Sequence, residues 1–345
     1  MSTEEKTPVA DVDLIIVGAG PSGLYAGYYA GFRGMSVAFV DMLEQAGGQI
    51  SALYPEKRIF DVAGFPEILG RDLVSRLVEQ VEPFHPEWFL GVRAESLTRV
   101  DERWLMELAD GRRLLGSAVL VTSGVGAFSP RPLPTGGEYE GRGLMYFVPR
   151  PMELSGKHVV IVGGGDSAFD WAMMLEPIAR STTLVHRRDT FRAHEHSVRI
   201  VKSSDVRIMT KAELVAIYGE GSVSAVDVRN GDGDVEHLHA DAVVAALGFV
   251  VQPGPIAKWG MEMEGRQIKV DTRMETSLPG VFAAGDITDY PGKVKLISVG
   301  FGEAATAVNN AAALIDPGQP VFPGHSSEGP PPEHQHTTAV HAQAG

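Results

Sequence analysis

Two glycine-rich turns and a later Gly-Asp segment predict an α/β fold: two Rossmann-like, three-layer dinucleotide-binding domains. Residues 13–17 (DLIIV) lead into GAGPSG, and residues 158–162 (HVVIV) lead into GGGDSA. Residues 280–286 (GVFAAGD) belong with the first copy, so the first domain is discontinuous and the second is inserted in it. The expected boundaries are 1–125 with 249–345 for the outer domain and 126–248 for the insert. The crossovers, 122–137 and 247–255, are rich in Gly and Pro. Two short linkers between two domains permit relative rotation.

The first copy reads as a complete βαβ unit. A buried strand over 13–17 is followed by glycines at 18, 20 and 23. A small-residue helix runs from Ser22 to about Phe32, Gly34 stops it, and a second strand over 36–40 ends in Asp41. Glycines at this spacing let the backbone approach a pyrophosphate at a helix N-terminus. Gly18, Gly20, Ser22 and Gly23 are therefore the expected phosphate turn. Asp41, 23 positions after Gly18, is placed to accept from the adenosine ribose hydroxyls.

In the second copy Gly163, Gly165 and Ala168 take the three fingerprint positions, with Ser167 among them. The helix runs towards Arg180, and 182–185 reads as the second strand. Arg187 lies 24 positions after Gly163, in the run His186-Arg187-Arg188, where the first copy has its acid. A carboxylate there would repel a 2′-phosphate, whereas two guanidiniums grip one. The first site should thus take a ribose with free hydroxyls. The second should take NADP(H) on Arg187, Arg188 and Arg192. The plainer alternative is that these arginines are solvated surface charges.

Two dinucleotide sites in one chain suggest FAD, held non-covalently, together with NADPH/NADP+. The third segment supports both sites over a degenerate duplication. It is a short apolar strand ending in Gly285-Asp286, followed about ten residues later by a small-residue helix from 296–298 through Ala313. Asp286 is placed to hold a flavin ribityl hydroxyl, and that helix N-terminus can face the flavin pyrimidine.

Composition narrows the chemistry. The chain has 345 residues and no cysteine, which excludes dithiol redox centres, thiolate metal sites and cysteine nucleophiles. No side chain reads as an acid or base catalyst, and no metal is expected. The formal charge of −14 argues against nucleic acid as a partner. The longest apolar run, 243–251, is far short of the roughly 20 residues a membrane helix needs. The polar N-terminus lacks a signal-peptide core, so a cytoplasmic location is expected. Residues 180–211 hold eight Lys/Arg against three acids, leaving −19 on the other 313 residues. Arg199, Lys202 and Lys211, the outer members of this patch, either steer an acidic partner or form an ordinary charged face.

Four strings carry a resemblance: GGQISALYPEKRIFDVAGFP (47–66), YFVPRPMELSGKHVVIVGGGDSAFDWA (146–172), HRRDTFRAHEHS (186–197) and AAGDITDYPGKVKLISVGFGEAATAVNNA (283–311). With the glycine turns they resemble the cysteine-free, thioredoxin-reductase-like ferredoxin–NADP+ reductases. Only 59 residues follow Asp286, too few for the dimerisation domain of the glutathione-reductase-like branch. The stretch LMYFVPRP (144–151) lies where thioredoxin reductases carry Cys-x-x-Cys. The resemblance implies that Gln49 meets the flavin side of FAD, Tyr54 stacks on one isoalloxazine face and Ala94 contacts the adenine through its backbone. Phe128 would lie near the cofactor at the first crossover. It further implies a homodimer in which His325 of the partner subunit's C-terminal extension covers the other flavin face, with Ser326 beside it. Residues 328–345 are expected to be disordered. The activity implied is hydride transfer between NADPH and FAD, then single-electron transfer to ferredoxin or flavodoxin. The alternatives are an NADPH oxidase or diaphorase reducing a small quinone-like acceptor, and a non-enzymatic redox sensor.

Overall fold

Residues 14–17 alternate between two buried faces. In β1 (Ala10–Val17) Leu14 and Ile16 enter one core while Ile15 and Val17 enter another. That is how a strand reads when both faces of its sheet are covered. The computed structural model describes residues 8–124, 126–148, 150–252 and 254–325. Ser326 and the tail 328–345 lie outside them.

The chain divides into two units, one up to Ala127 and again from Gln252, the other Phe128–Val251. The breaks fall two and three residues after the boundaries expected from the sequence. In the first unit β1 is followed by α1 (Pro21–Phe32), β2 (Val37–Val40), α2 (Gly48–Leu53) and α3 (Gly70–Val81). Next come β3 (Glu87–Phe89), β4 (Ala94–Val100), β5 (Arg103–Leu108) and β6 (Arg113–Val121). The sheet order is β3-β2-β1-β6-β5-β4. Strands β3, β2, β1 and β6 run parallel, and β4 and β5 return antiparallel. The order reverses beside β1, the switch point outside which open α/β sheets bind ligands.

The inserted unit holds β7 (Leu144–Met145), β8 (His158–Gly163), α4 (Asp166–Leu175), β9 (Ser181–His186), α5 (Glu195–Lys202) and β10 (Arg207–Thr210). It continues with β11 (Glu213–Tyr218), β12 (Ala225–Arg229), β13 (Val235–His239) and β14 (Ala242–Ala246). Its parallel sheet has the order β7-β14-β8-β9-β10, and β11-β12-β13 form a separate antiparallel sheet. The apolar run 243–251 is broken at Gly248, which has a φ of 81°. The chain then re-enters the first unit with β15 (Val281–Ala283), parallel to the C-terminal half of β6, and α6 (Ile297–Ile315).

Both units have three layers, but their helices lie on one face. In the first, α1, α3 and α6 share a core with Leu14, Ile16 and Phe39, while the opposite face buries Trp104, Met106, Trp259 and Ile268. In the second, Phe169, Trp171 and Leu175 of α4 cover Val159 and Ile161; Leu214, Val226 and Val228 of the antiparallel sheet cover Val160 and Val162. Each of these apolar side chains contributes about 1.5–3 kcal/mol on burial. Among the described residues no helix is long and apolar enough to cross a membrane.

Candidate functional site

The first turn is shaped by backbone approach. Gly18 has a φ of 111°, and a Cβ there would lie 2.6 Å from the Thr122 carbonyl oxygen. A Cβ on Gly23 would fall 1.9 Å from the Gly18 oxygen. The Thr122 hydroxyl donates to that same oxygen at 2.7 Å, tying the end of β6 to the turn. Gly20 differs, because the nearest atom to its added Cβ is Gly48 Cα at 3.9 Å. Gly18 and Gly23 thus serve the fold, while Gly20 leaves open space at the N-terminus of α1.

Asp41 follows β2 directly, with both carboxylate oxygens engaged. Oδ2 accepts from Ala19 N–H at 2.7 Å and Oδ1 from Leu43 N–H at 2.8 Å. Burial pushes its carboxyl above the usual range, and these two N–H donors oppose the shift. The Asp41 carbonyl accepts from Val92 N–H and that of Leu43 from Gly91 N–H. This brings the segment leading to buried Ala94, the first residue of β4, beside Asp41. Leu43, Glu44, Gln45 and Ala52 line an adjoining cleft of about 480 Å³.

Gln49 lies in α2, with its amide nitrogen 3.1 Å from a Cβ added at Gly124. Tyr54 caps the C-terminus of α2. Burial raises the Tyr54 phenol above its ordinary range, and the nearby carboxylates of Asp286 and Asp61 add to the shift. Tyr54, at the end of α2, and Asp286, after β15, therefore face a common region. Phe128 lies in the strand segment Ala127–Pro130, and its side chain is outside the described set. His325 is exposed, its ring edge-on to Phe322 with centroids 5.3 Å apart.

Several residues that brace this region carry no clear mark in the sequence. The Ser123 hydroxyl, just past β6, is buried without a protein partner. Arg103 Nε and Thr182 Oγ1 are likewise buried without a partner, but only Ser123 adjoins the first turn. Glu303 in α6 accepts from Gly285 N–H at 2.7 Å and pairs with Lys293 and the Tyr290 hydroxyl. Arg33 holds the C-terminal segment, donating to Asn309 Oδ1 at 2.8 Å and to the carbonyls of Val321 and Pro320 at 3.0 Å. A single Glu in the small-residue run GFGEAATAVNNA was the available signal for Glu303.

The second turn repeats the logic in the inserted unit. A Cβ on Gly163 would meet the Ala246 oxygen at 2.4 Å, whereas one on Gly165 would meet nothing within 4 Å. Ala168 is buried and Ser167 exposed. The segment after β9 folds over this turn: Arg192 N–H donates to the Gly164 oxygen at 2.8 Å, and His194 N–H to Asp166 Oδ1 at 2.9 Å. Burial lowers the His186 imidazole below its usual range, and the charges of Arg187, Arg188 and Arg192 lower it further. Those three exposed arginines thus form one cationic cluster around His186 at the end of β9.

The family model described as pyridine nucleotide-disulphide oxidoreductase matches residues 12–311. The chain belongs to this family. Within this oxidoreductase family it is 56% identical over 319 residues to the ferredoxin–NADP reductase of Salinispora arenicola, spanning 92% of this chain and 99% of that one. It is 57% identical over 323 residues to the ferredoxin–NADP reductase of a Nocardioides species, spanning 92% and 98%. Among solved structures, the thioredoxin reductase of T. acidophilum superposes with a TM-score of 0.73 at 27% identity, over 88% of this chain and 98% of that one. This member of the family has no cysteine, so it carries no redox disulphide of its own.

Proposed function

We propose that the chain is a ferredoxin–NADP+ reductase that moves electrons between NADPH and ferredoxin or flavodoxin through non-covalently bound FAD, as a cytoplasmic homodimer. The observation that carries this reading is the sustained identity with proteins of that name, 56–57% over 92% of the chain. The absence of cysteine supports it, since the chain has no disulphide of its own to accept the electron pair from the flavin.

The residues fit an FAD in the first unit. Gly20 leaves room for a pyrophosphate, Ser123 offers an unpaired hydroxyl, and Asp41 keeps lone pairs for ribose hydroxyls. Gly18 and Gly23 hold that turn in shape, with Ser22 at the start of its helix. Ala94 would border the adenine, Gln49 and Phe128 the flavin side, and Tyr54 one isoalloxazine face. Asp286 would hold the ribityl chain; His325 and Ser326 of the partner subunit would cover the opposite face. Bound FAD would supply acceptance of one hydride from NADPH and release of its two electrons one at a time, with a proton to solvent.

In the inserted unit Gly163, Gly165, Ser167 and Ala168 would cradle the NADPH pyrophosphate, with Arg187, Arg188 and Arg192 on its 2′-phosphate. No side chain needs to move a proton. The protein's work is to orient two rings and exclude water from them.

A coupled assay tests the reading: NADPH, the purified chain, ferredoxin and cytochrome c. Cytochrome c reduction is expected to require ferredoxin. Equal reduction without it would instead make the chain an NADPH oxidase or diaphorase for small acceptors.

A further inference from the structure

The strands of the inserted unit carry their glycine turn at one end and an unassigned cluster at the other. His158 opens β8, His239 closes β13, and Asp241 precedes β14. One ligand atom from each lies within 4.8 Å of the others. Gly163 is five residues along β8 from His158, a separation of about 16 Å at strand rise. The cluster therefore does not belong to the dinucleotide site.

We propose that His158, His239 and Asp241 form a site for a divalent transition-metal cation of the Zn2+ class. Two imidazoles and one carboxylate suit Zn2+, Ni2+ and Co2+, whereas Mg2+ and Ca2+ prefer all-oxygen ligands. Three protein ligands leave a fourth tetrahedral position for water.

The site is largely built in advance. Asp241 Oδ2 accepts from His158 N–H at 2.8 Å, and Asp241 N–H donates to the His158 oxygen at 2.8 Å. Those bonds fix the Asp241 carboxylate against the His158 backbone and leave Asp241 Oδ1 facing His239 Nε2 at 3.5 Å. His158 Nδ1 lies 2.7 Å from the Ser181 hydroxyl, the second contact that orients a metal-ligating imidazole and leaves Nε2 for the cation. Ligand atoms around a tetrahedral Zn2+ sit about 3.4 Å apart. The His239–Asp241 pair already has that spacing. The most separated pair, within 4.8 Å, needs to close by at most about 1.4 Å, and the exposed His239 ring is free of the packing that holds the other two. A bound cation would tie the β13–β14 connection to the start of β8.

The test uses the full chain without an added tag, stripped with chelator and titrated with Co2+, whose visible absorption reports tetrahedral N/O ligation. Because His334, His336 and His341 could also bind metal, a variant with all three changed to Ala is run in parallel. That variant is expected to retain one equivalent of Co2+, displaceable by Zn2+. His239→Ala and Asp241→Asn should abolish the signal, and Ser181→Ala should weaken binding about 10–100-fold. Flavin absorbance and NADPH–dye activity should be unchanged in His239→Ala, showing that the variant is folded. The proposal is overturned if no equivalent binds, if binding survives His239→Ala, or if the tail variant alone removes it.

Discussion

Lys293 and Glu303 form an ion pair with only 6% and 5% of their side chains exposed. Both also hold Gly285, the residue before Asp286. Glu303 Oε2 accepts its N–H at 2.7 Å, and Lys293 Nζ donates to its carbonyl at 2.9 Å. A loop with a φ of 81° at Gly285 is thereby fixed by groups ten residues apart in sequence. Removing one member of a buried pair leaves an uncompensated charge and costs about 3–5 kcal/mol. Lys293→Met should lose that much stability in denaturant titrations and release FAD faster on dilution. Changing Glu303 to Gln in the same background should recover part of the stability. An unchanged denaturation midpoint in Lys293→Met would show that the pair does not brace the loop.

Tyr290 belongs to the same network and gives it an alkaline signature. Burial, then the hydrogen bond to Glu303 and its charge, push the phenol up to about 12 from an unperturbed 10.0. The folded state therefore holds this proton more tightly than the unfolded chain. Its contribution is fully present below pH 10 and is lost as pH rises from about 10 to 12. Tyr290→Phe should flatten that fall in stability. The ultraviolet difference spectrum between the parent chain and the variant should titrate near the upper end of the same window. A difference spectrum that titrates near pH 10 would separate Tyr290 from Glu303.

The readable part of this chain was the part governed by local rules. Glycine spacing and an apolar run announced β1, α1 and β2, because a tight turn and a close helix–strand approach depend on residues within a few positions. The same holds for β8, α4 and β9. The antiparallel sheet β11-β12-β13 left no comparable mark, since its one packed face is covered by Val160 and Val162, distant in sequence, and β13 is largely exposed. The hydroxyl of Ser123 is buried beside the first turn without a partner, which no sequence displays. Lys293, Glu303 and Arg33 matter through contacts across loops or, for Arg33 and Asn309, across 276 positions.

Glycines of the two turns should separate into structural and binding classes. In the inserted unit Gly163→Ala drives a methyl group to 2.4 Å from the Ala246 oxygen, whereas Gly165→Ala places one in open space. Gly163→Ala should therefore lower the melting temperature, a ΔΔG of about 1–3 kcal/mol being typical of overpacking. Gly165→Ala should melt with the parent chain but bind NADP+ weakly in calorimetry. If both variants lose stability equally, the open space at Gly165 is not where the pyrophosphate lies.

Nucleotide choice should reside in the cationic cluster at the end of β9. Arg187, Arg188 and Arg192 lie around His186, whose imidazole burial and their charges push below its usual range. Charge-assisted contacts to a 2′-phosphate each contribute about 1.5–3 kcal/mol. Arg187→Ala with Arg188→Ala should thus erode the preference for NADPH over NADH by at least about tenfold. The measurement is the ratio of kcat/KM for the two nucleotides. An unchanged ratio would move the 2′-phosphate elsewhere.

The basic stretch 180–211 is smaller as a docking surface than its charge count suggests. Arg207 is committed to Glu236 in a two-fold contact at 2.8 and 2.7 Å, and Lys211 pairs with Asp189 at 3.5 Å. Arg199 and Lys202 remain on the exposed face of α5, with Lys202 over the Phe191 ring at 5.8 Å. Acidic carriers are drawn to such a face by long-range attraction, which acts on association and fades with salt. Arg199→Glu with Lys202→Glu should slow ferredoxin reduction about tenfold at low ionic strength and remove most of its salt dependence. NADPH oxidation by an artificial dye should stay at the parent rate, because that reaction needs no docked protein. Equal loss in both assays would place the effect on nucleotide binding, and α5 would then be an ordinary charged helix.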